Sequence, residues 1–263
     1  MLVPVRALPE ASSAAGTRLA ASIAPITALS VAPDARWGRL GSTTFQNWTA
    51  DSGLPHPIVT ALAQDADGFI WVGTQDGLAR WDGYRFKSYK ADAKVAGSLP
   101  SSYIDVLHTD RTGRLWVGTD NGSLAVHDER SDRFNIVDLG PARDGTAEFT
   151  AIVDDGKAGL WVGSSRGLLH VQLPAEGSGA ASVRITAGMP SSQGVRALMR
   201  AADGALWIGT QEGLSRCGDP LGQPQCEPVA DAPSFGQGVS ALTQSADGRI
   251  WIGTLGAGVV SDQ

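Results

Sequence analysis

The sequence is poor in several residue types that define whole classes of protein. Its 263 residues include 2 cysteines, 4 histidines and 3 methionines, and the net charge is −6. Such an acidic chain lacks the excess of basic residues that binding to a nucleic acid requires, so we expect no nucleic acid partner. No uninterrupted apolar run reaches the roughly 18 residues of a membrane-spanning helix. By contrast glycine is abundant, with 33 copies, and so many turn-forming residues argue against a helical bundle.

The eight tryptophans are the most informative feature, because five of them recur at a fixed spacing. Each begins the pattern Trp-[Val/Ile]-Gly-[Thr/Ser], and successive copies lie 44 to 46 residues apart. Apolar residues also recur 12 and 9 residues before every one of these tryptophans. The tryptophans are Trp71, Trp116, Trp161, Trp207 and Trp251, and their glycines are Gly73, Gly118, Gly163, Gly209 and Gly253. A repeat of this length predicts an all-β fold, a β-propeller of four-stranded antiparallel blades.

Glycine turns separate four short strands within each repeat. In the first repeat the turns are Asp67-Gly68, Gln75-Asp76-Gly77 and Asp82-Gly83, which predict strands at 58–64, 69–73, 78–81 and 85–89. Residues 41–263 then hold five blades, at about 58–89, 103–137, 148–186, 194–230 and 238–260. We expect each tryptophan to pack between neighbouring blades, a structural role. The glycine after it permits a bulge or a close backbone approach.

The first repeat resembles a known family. The residues that carry the resemblance are Gly53-Leu54-Pro55, Val59-Thr60-Ala61-Leu62, Asp67-Gly68, Trp71-Val72-Gly73-Thr74 and Asp76-Gly77-Leu78. They are similar to the two-component regulator propeller repeat, and the resemblance extends from about Thr43 to Ser261. In that family such repeats build the extracytoplasmic sensor region of membrane-anchored histidine kinases and diguanylate cyclases. The resemblance therefore implies a periplasmic, ligand-sensing domain of a bacterial signal-transduction protein.

The family also implies a longer parent protein. Its members usually carry more blades, a transmembrane helix and a cytoplasmic output domain. The resemblance thus implies that this chain is a fragment without its output domain, anchored in the inner membrane and able to form a homodimer through the parent sensor. The alternative is a five-bladed ring, in which Thr44–Thr49 supplies the missing outer strand of blade five and removes the open edges. Both arrangements remain open from the residues alone.

Residues 1–40 differ from the rest of the chain. They are rich in alanine, serine and proline and show no repeat. The apolar stretch Leu19–Ala32 resembles the core of a signal peptide, and a disordered leader is the alternative.

The two cysteines, Cys217 and Cys226, flank a hairpin loop in the fourth repeat. Facing positions on antiparallel strands lie within disulfide reach, so we predict a disulfide here. A disulfide fits an oxidising compartment. A metal site at these cysteines is not expected, since no histidine lies near them in the sequence.

The sequence contains no nucleophile elbow, phosphate-binding loop, dinucleotide fingerprint or zinc-ligand spacing. We therefore expect no catalytic residue and no cofactor. A bound ligand is expected on the propeller face where varied polar loops surround the channel. The candidate residues are His56, Gln75, Tyr103, Asp120, Asn121, Arg166, Gln211 and Glu212. Tyr103 and Arg166 are the best suited to anionic or sugar-like ligands.

The expected function is therefore non-catalytic sensing of a small molecule or glycan. Two alternatives belong to other classes. One is a propeller lyase or glycosidase with acid–base residues on the channel face. The other is a scaffold that uses the same face to bind a protein partner.

Overall fold

A computed structural model describes residues 46–140, 145, 147–172, 182–185, 194–218, 220–221, 226–229 and 238–262. The predicted leader at 1–40 lies outside the described residues. In the described ranges, antiparallel strands form five sheets in which the strands follow one another in sequence order. Apart from strands there is a short 3₁₀ turn at Ala50–Ser52. In the same ranges, no helix is long and apolar enough to cross a membrane.

Each sheet is one blade, and its first strand is the inner one. Blade one consists of β1 (Val59–Gln64), β2 (Ile70–Thr74), β3 (Gly77–Trp81) and β4 (Phe86–Tyr89), and blade two of β5 (Ile104–Thr109), β6 (Leu115–Thr119), β7 (Leu124–Asp128) and β8 (Arg133–Ile136). Blade three consists of β9 (Phe149–Asp154), β10 (Gly159–Ser164), β11 (Gly167–Gln172) and β12 (Ser182–Ile185), and blade four of β13 (Val195–Arg200), β14 (Leu206–Thr210), β15 (Leu214–Cys217) and β16 (Cys226–Pro228). Blade five has three strands, β17 (Val239–Gln244), β18 (Ile250–Thr254) and β19 (Val259–Ser261). The predicted all-β fold of successive antiparallel blades is confirmed.

Consecutive blades pack through their inner strands, β1 on β5, β5 on β9, β9 on β13 and β13 on β17. The repeated tryptophan lies in this contact. Trp71 of blade one packs with Ile104 and Leu107 of blade two, and Trp116 of blade two packs with Phe149 of blade three. Both tryptophans are only 1% exposed. The 45-residue period thus arises because every interface needs one large apolar side chain at the same place.

In blades one to four, the glycine two residues after the tryptophan is required by the same interface. A Cβ atom on Gly118 would lie 2.7 Å from Val106 Cγ1 and 3.1 Å from Phe149 Cβ. A Cβ atom on Gly163 would lie 2.6 Å from Val195 Cγ1. Only a residue without a side chain lets the next inner strand approach this closely.

A β-bulge interrupts the inner strand of every blade at the same repeat position, 11 residues before the tryptophan. In blade one, Val59 pairs with Thr74 and Ala61 pairs with Gly73, so that Thr60 between them is left out of the ladder. The bulged residues of the five blades are Thr60, Asp105, Thr150, Arg196 and Ser240. A bulge turns one side chain away from the regular alternation of the strand.

Of the segment Thr44–Thr49 considered above as an outer strand, the structure describes Gln46–Thr49, and this part contains no strand. Trp48 instead packs on blade one, with ring centroids 5.3 Å from Trp81 and 6.3 Å from Phe86. Blade five remains three-stranded, with β19 at its edge. Aromatic packing on the nearest blade places this segment, because Trp48 lies only a short loop away from β1.

Cys217 and Cys226 face each other on β15 and β16 and form a disulfide. The bond ties the two outermost strands of blade four together across the loop between them.

Candidate functional site

The bulged residues of all five blades line one cavity of about 420 Å³. The volume lies within the range of small-molecule sites. Since each blade contributes its inner strand, the cavity marks the axis that the blades share. The lining residues are Thr60, Tyr103, Asp105, Glu148, Phe149, Thr150, Arg196, Ser240 and Leu255.

Two bulged threonines connect the cavity to the blade interfaces. Thr60 Oγ1 donates a hydrogen bond to the Ile104 carbonyl of the next blade at 2.6 Å. Thr150 Oγ1 donates in the same way to the Val195 carbonyl at 2.7 Å. The side chains that line the cavity therefore also join one blade to the next, so a ligand that displaces them would act on blade packing.

Asp105 occupies the same repeat position in blade two, but it accepts a hydrogen bond from the next blade instead of donating one. Its Oδ2 accepts a hydrogen bond from the backbone N–H of Phe149 in blade three at 3.2 Å. Burial raises the pKa of Asp105 to about 6, and the nearby charges of Asp120 and Glu148 act in the same direction, while the Phe149 amide opposes them. This carboxyl group therefore changes charge close to neutral pH.

Arg196 adds a positive charge to the same lining. Its side chain is exposed, and Nη2 donates to Gln211 Oε1 at 3.5 Å. With Asp105 and Glu148, the cavity thus holds groups of both signs together with the hydroxyl groups of Thr60 and Ser240. Such a set can orient a ligand that carries several polar groups.

Four of the eight residues predicted from the sequence line this cavity, contact its lining or lie close to it. Tyr103 lines the cavity, and Gln75 Nε2 donates to the Tyr103 hydroxyl at 3.3 Å. Gln211 contacts Arg196. Asp120 lies close enough to Asp105 to raise its pKa, and it accepts a hydrogen bond from a loop serine.

The other four predicted residues lie outside the cavity lining. Asn121 Nδ2 donates to a loop carbonyl at 3.1 Å, and His56 Nδ1 accepts a backbone N–H two residues later at 3.2 Å. Arg166 and Glu212 lie exposed in the turns that join the second and third strands of their blades.

Sequence reasoning missed Asp105, Glu148 and Arg196. The prediction looked at loops, whereas two of these residues are bulged strand positions. The signal was nevertheless present, because the residue 11 before each tryptophan is polar in all five repeats although apolar residues stand at 12 and 9 before it.

A larger cavity, of about 580 Å³, lies between the turns of blades one and two. Its polar lining is engaged in structural bonds. Asp65 accepts the indole N–H of Trp71 at 2.6 Å, and Arg114 pairs with Asp110 at 2.8 Å. The central cavity is therefore the better candidate site, despite its smaller volume. Across the described ranges, no group of three or more His, Cys, Asp or Glu residues is arranged to hold a metal ion.

Three segments of the chain, 53–76, 98–121 and 234–256, match the family model described as two component regulator propeller. In these three segments the chain is similar to the two-component regulator propeller repeat. Over 55 residues, 21% of the chain, it is 38% identical to histidine kinase P4 of Formosa agariphila. That stretch covers only 4% of the kinase.

Solved structures share the fold. The extracellular domain of a putative one component system of B. thetaiotaomicron matches 84% of this chain with a TM-score of 0.65 and 18% identity. The extracellular domain of a putative hybrid two component system of the same organism matches 82% with a TM-score of 0.52 and 21% identity. The chain spans 28% and 35% of these two structures. Virginiamycin B lyase of Staphylococcus aureus matches 78% with a TM-score of 0.56 and 12% identity, so the same fold also supports an enzyme.

Proposed function

We propose that the chain is the non-catalytic, ligand-sensing domain of an extracytoplasmic bacterial signal-transduction protein, with its ligand in the central cavity. One observation carries the proposal. At a single repeat position, five blades place five polar side chains around one cavity, three with a hydroxyl group, one with a carboxyl group and one with a guanidinium group, while the tryptophan and glycine positions stay constant. Variation confined to one position of a repeat is what a binding site grafted on a repeated scaffold requires.

The sensor assignment is supported by the family of the repeats and by the extracellular sensor domains with the same fold. The disulfide of blade four is consistent with an oxidising, periplasmic location. As part of the proposal, the chain is a piece of a longer, membrane-anchored protein whose output domain is a histidine kinase or a diguanylate cyclase.

In this proposal, binding is passed on through the contacts between blades. Thr60, Asp105 and Thr150 line the cavity and bond to the backbone of the following blade. A ligand that competes for these bonds would favour a different placement of neighbouring blades. This differential affinity is what shifts a conformational equilibrium and passes it to an output domain.

The test is thermal denaturation of the 263-residue chain against a panel of sugars, amino acids and small organic acids. A ligand present at 100 times its Kd should raise Tm by about 5 °C or more. Arg196→Ala and Asp105→Ala should abolish the shift, because each removes a charged group from the lining. Arg85→Ala is the matched control, since Arg85 is an exposed charged residue on the outer side of blade one.

The proposal fails if no compound raises Tm, or if the cavity variants respond as the unchanged chain does. Turnover of a stabilising compound would favour the lyase or glycosidase alternative. Capture of a protein partner, lost in the cavity variants and without any small-molecule effect, would favour the scaffold.

A further inference from the structure

The central cavity contains charged groups of both signs that do not pair with one another. Asp105 and Glu148 contribute carboxyl groups from blades two and three, and Arg196 contributes a guanidinium group from blade four. Among the residues that the structure describes, none of these three side chains forms an ion pair. Covering a charge that has no counter-charge is costly, so the lining favours a ligand that supplies the opposite charges.

The two signs of charge occupy opposite ends of the wall that blades two, three and four form. Asp105 Oδ2 accepts a hydrogen bond from the backbone N–H of Phe149 at 3.2 Å, and Glu148 is the residue before Phe149. Farther along, Thr150 Oγ1 donates to the carbonyl that precedes Arg196 at 2.7 Å. The negative end of the lining thus lies at blades two and three, and the positive end lies at blade four.

The negative end favours an ammonium group. Burial is the main reason that the pKa of Asp105 rises to about 6, and the charges of Asp120 and Glu148 raise it further, while the Phe149 N–H opposes them. The carboxyl groups of Asp105 and Glu148 therefore lie close enough to repel each other. An ammonium group beside both would relieve this repulsion, and its three N–H donors suit carboxylate acceptors.

The positive end favours a carboxylate. Within the described residues, Arg196 Nη2 donates to Gln211 Oε1 at 3.5 Å, a long bond that uses one of the five N–H donors of the side chain. A planar guanidinium group binds a carboxylate through two parallel hydrogen bonds. Arg196 can therefore bind a ligand carboxylate and keep its contact with Gln211.

The arrangement of charge distinguishes the possible ligand classes. A neutral sugar would cover all three charged groups without giving any of them a counter-charge. A dicarboxylate would place a negative group against Asp105 and Glu148, and a diamine would place a positive group against Arg196. A ligand with one ammonium group and one carboxylate gives each end of the lining its opposite charge.

We propose that the ligand of the central cavity is a zwitterion of the amino acid class, with its ammonium group at Asp105 and Glu148 and its carboxylate at Arg196. This inference rests on the proposed function, because it names the ligand class of the same sensing site. The cavity of about 420 Å³ has room for an amino acid or a short peptide. Tyr103 and the partly exposed Leu255 also line it and provide apolar contact for the rest of the ligand.

The test is isothermal titration calorimetry of the 263-residue chain with zwitterions of graded length. The probes are the common L-amino acids, glycylglycine, γ-aminobutyrate and ε-aminohexanoate. For the tightest binder, the carboxamide lacks the negative charge and the N-acetyl derivative lacks the positive charge. Each derivative should bind about 10-fold more weakly than the parent compound or worse, because a charge-assisted contact is lost. This comparison uses the unchanged chain and does not depend on the folding of any variant.

Two variants show which side chain binds which charge. Arg196→Gln should weaken binding of the parent compound about 10-fold but leave binding of the carboxamide unchanged. Asp105→Asn should lose most of the preference for the parent compound over the N-acetyl derivative, and its amide oxygen can still accept the Phe149 N–H. Arg85→Gln and Asp92→Asn are the matched controls, because both residues are exposed and neither lines the cavity.

The pH dependence of binding gives a second measurement at the negative end. A free amino acid keeps both charges between about pH 5 and pH 8, whereas Asp105, with a pKa of about 6, is mostly protonated at the lower pH. Binding should therefore be about 10-fold weaker at pH 5 than at pH 8. In Asp105→Asn the difference should disappear.

The inference is overturned if a neutral sugar or an organic acid binds and no zwitterion does, an outcome that leaves the proposed sensing function intact. It is also overturned if the carboxamide and the N-acetyl derivative bind as tightly as the parent compound. Unchanged binding of the parent compound in both Arg196→Gln and Asp105→Asn has the same consequence. If no compound of any class binds, the proposed function fails as well.

Discussion

The interfaces between blades are built from the same repeat positions as the two outward surfaces of the array, on blade one and on blade five. The residues at these positions nevertheless differ sharply in burial. Val239 is fully buried against blade four, whereas Val59 at the same position is 44% exposed. Trp116 is 1% exposed, whereas Trp251 is 39% exposed. Position in the repeat thus determines which residue is present, and the neighbouring blade determines whether that residue stabilises the fold.

The comparison predicts its largest effect for the tryptophans. Trp116→Ala should lower the free energy of unfolding by about 4 kcal/mol, because it opens a cavity in a packed interface and removes the indole N–H that donates to Asp110 Oδ2 at 2.8 Å. Trp251→Ala should cost about 1 kcal/mol, since much of that side chain is already in solvent. Urea denaturation of the monomeric chain measures both. Equal losses at the two positions would contradict the difference in burial between Trp116 and Trp251.

The glycines give a smaller contrast of the same kind. Gly163→Ala should destabilise the chain by about 2 kcal/mol, because the new methyl group would meet Val195 Cγ1 at 2.6 Å. Gly253→Ala should cost less than about 1 kcal/mol, as its nearest neighbour would be Ala241 Cβ at 3.2 Å. The measurement is again urea denaturation, with far-ultraviolet circular dichroism to verify the strands. A larger loss at Gly253 would contradict the difference between internal and end positions.

The smallest predicted effect concerns the internal interface between blades two and three, where the bulged residue is acidic. Asp105 places a carboxyl group where Thr60 and Thr150 place hydroxyl groups, and its pKa is raised to about 6 by burial. A raised pKa means that protonation favours the folded state, so this contribution is complete below about pH 4 and is lost as the pH rises to about 6.

Asp105→Asn should therefore be about 0.5 kcal/mol more stable than the unchanged chain at pH 7, a small gain because solvent screens the site. At pH 4 the two should be equally stable. Denaturation at both pH values checks the sign, and Asp92→Asn, an exposed loop carboxylate, is the control. A gain of the same size at pH 4 would show that charge is not the cause.

Much of the fold could be predicted from the sequence because the same pattern occurs in five copies, and each copy supports the interpretation of the others. Turn residues such as Asp67-Gly68 separate the strands, and the spacing of Trp71 from Trp116 measures a blade. The position of the segment before blade one was harder to predict, because its sequence resembles a strand. Only the packing of Trp48 on Trp81 shows which blade this segment contacts.

The candidate site was predicted only in part. Tyr103 was found because it lies in a polar loop, whereas Asp105 and Arg196 were missed because they lie within strands. A bulge is a property of the pairing between two strands, so the residue that it turns toward the axis cannot be identified from one strand alone.

By itself the sequence determined the blade, since turn chemistry and the alternation of apolar residues act over a few neighbouring positions. The number of blades also followed, because each tryptophan marks one. Only the tertiary structure decided which polar side chains share the central cavity and which apolar faces remain exposed. Both depend on how separate blades approach one another, and residues about 45 positions apart meet only when their blades pack.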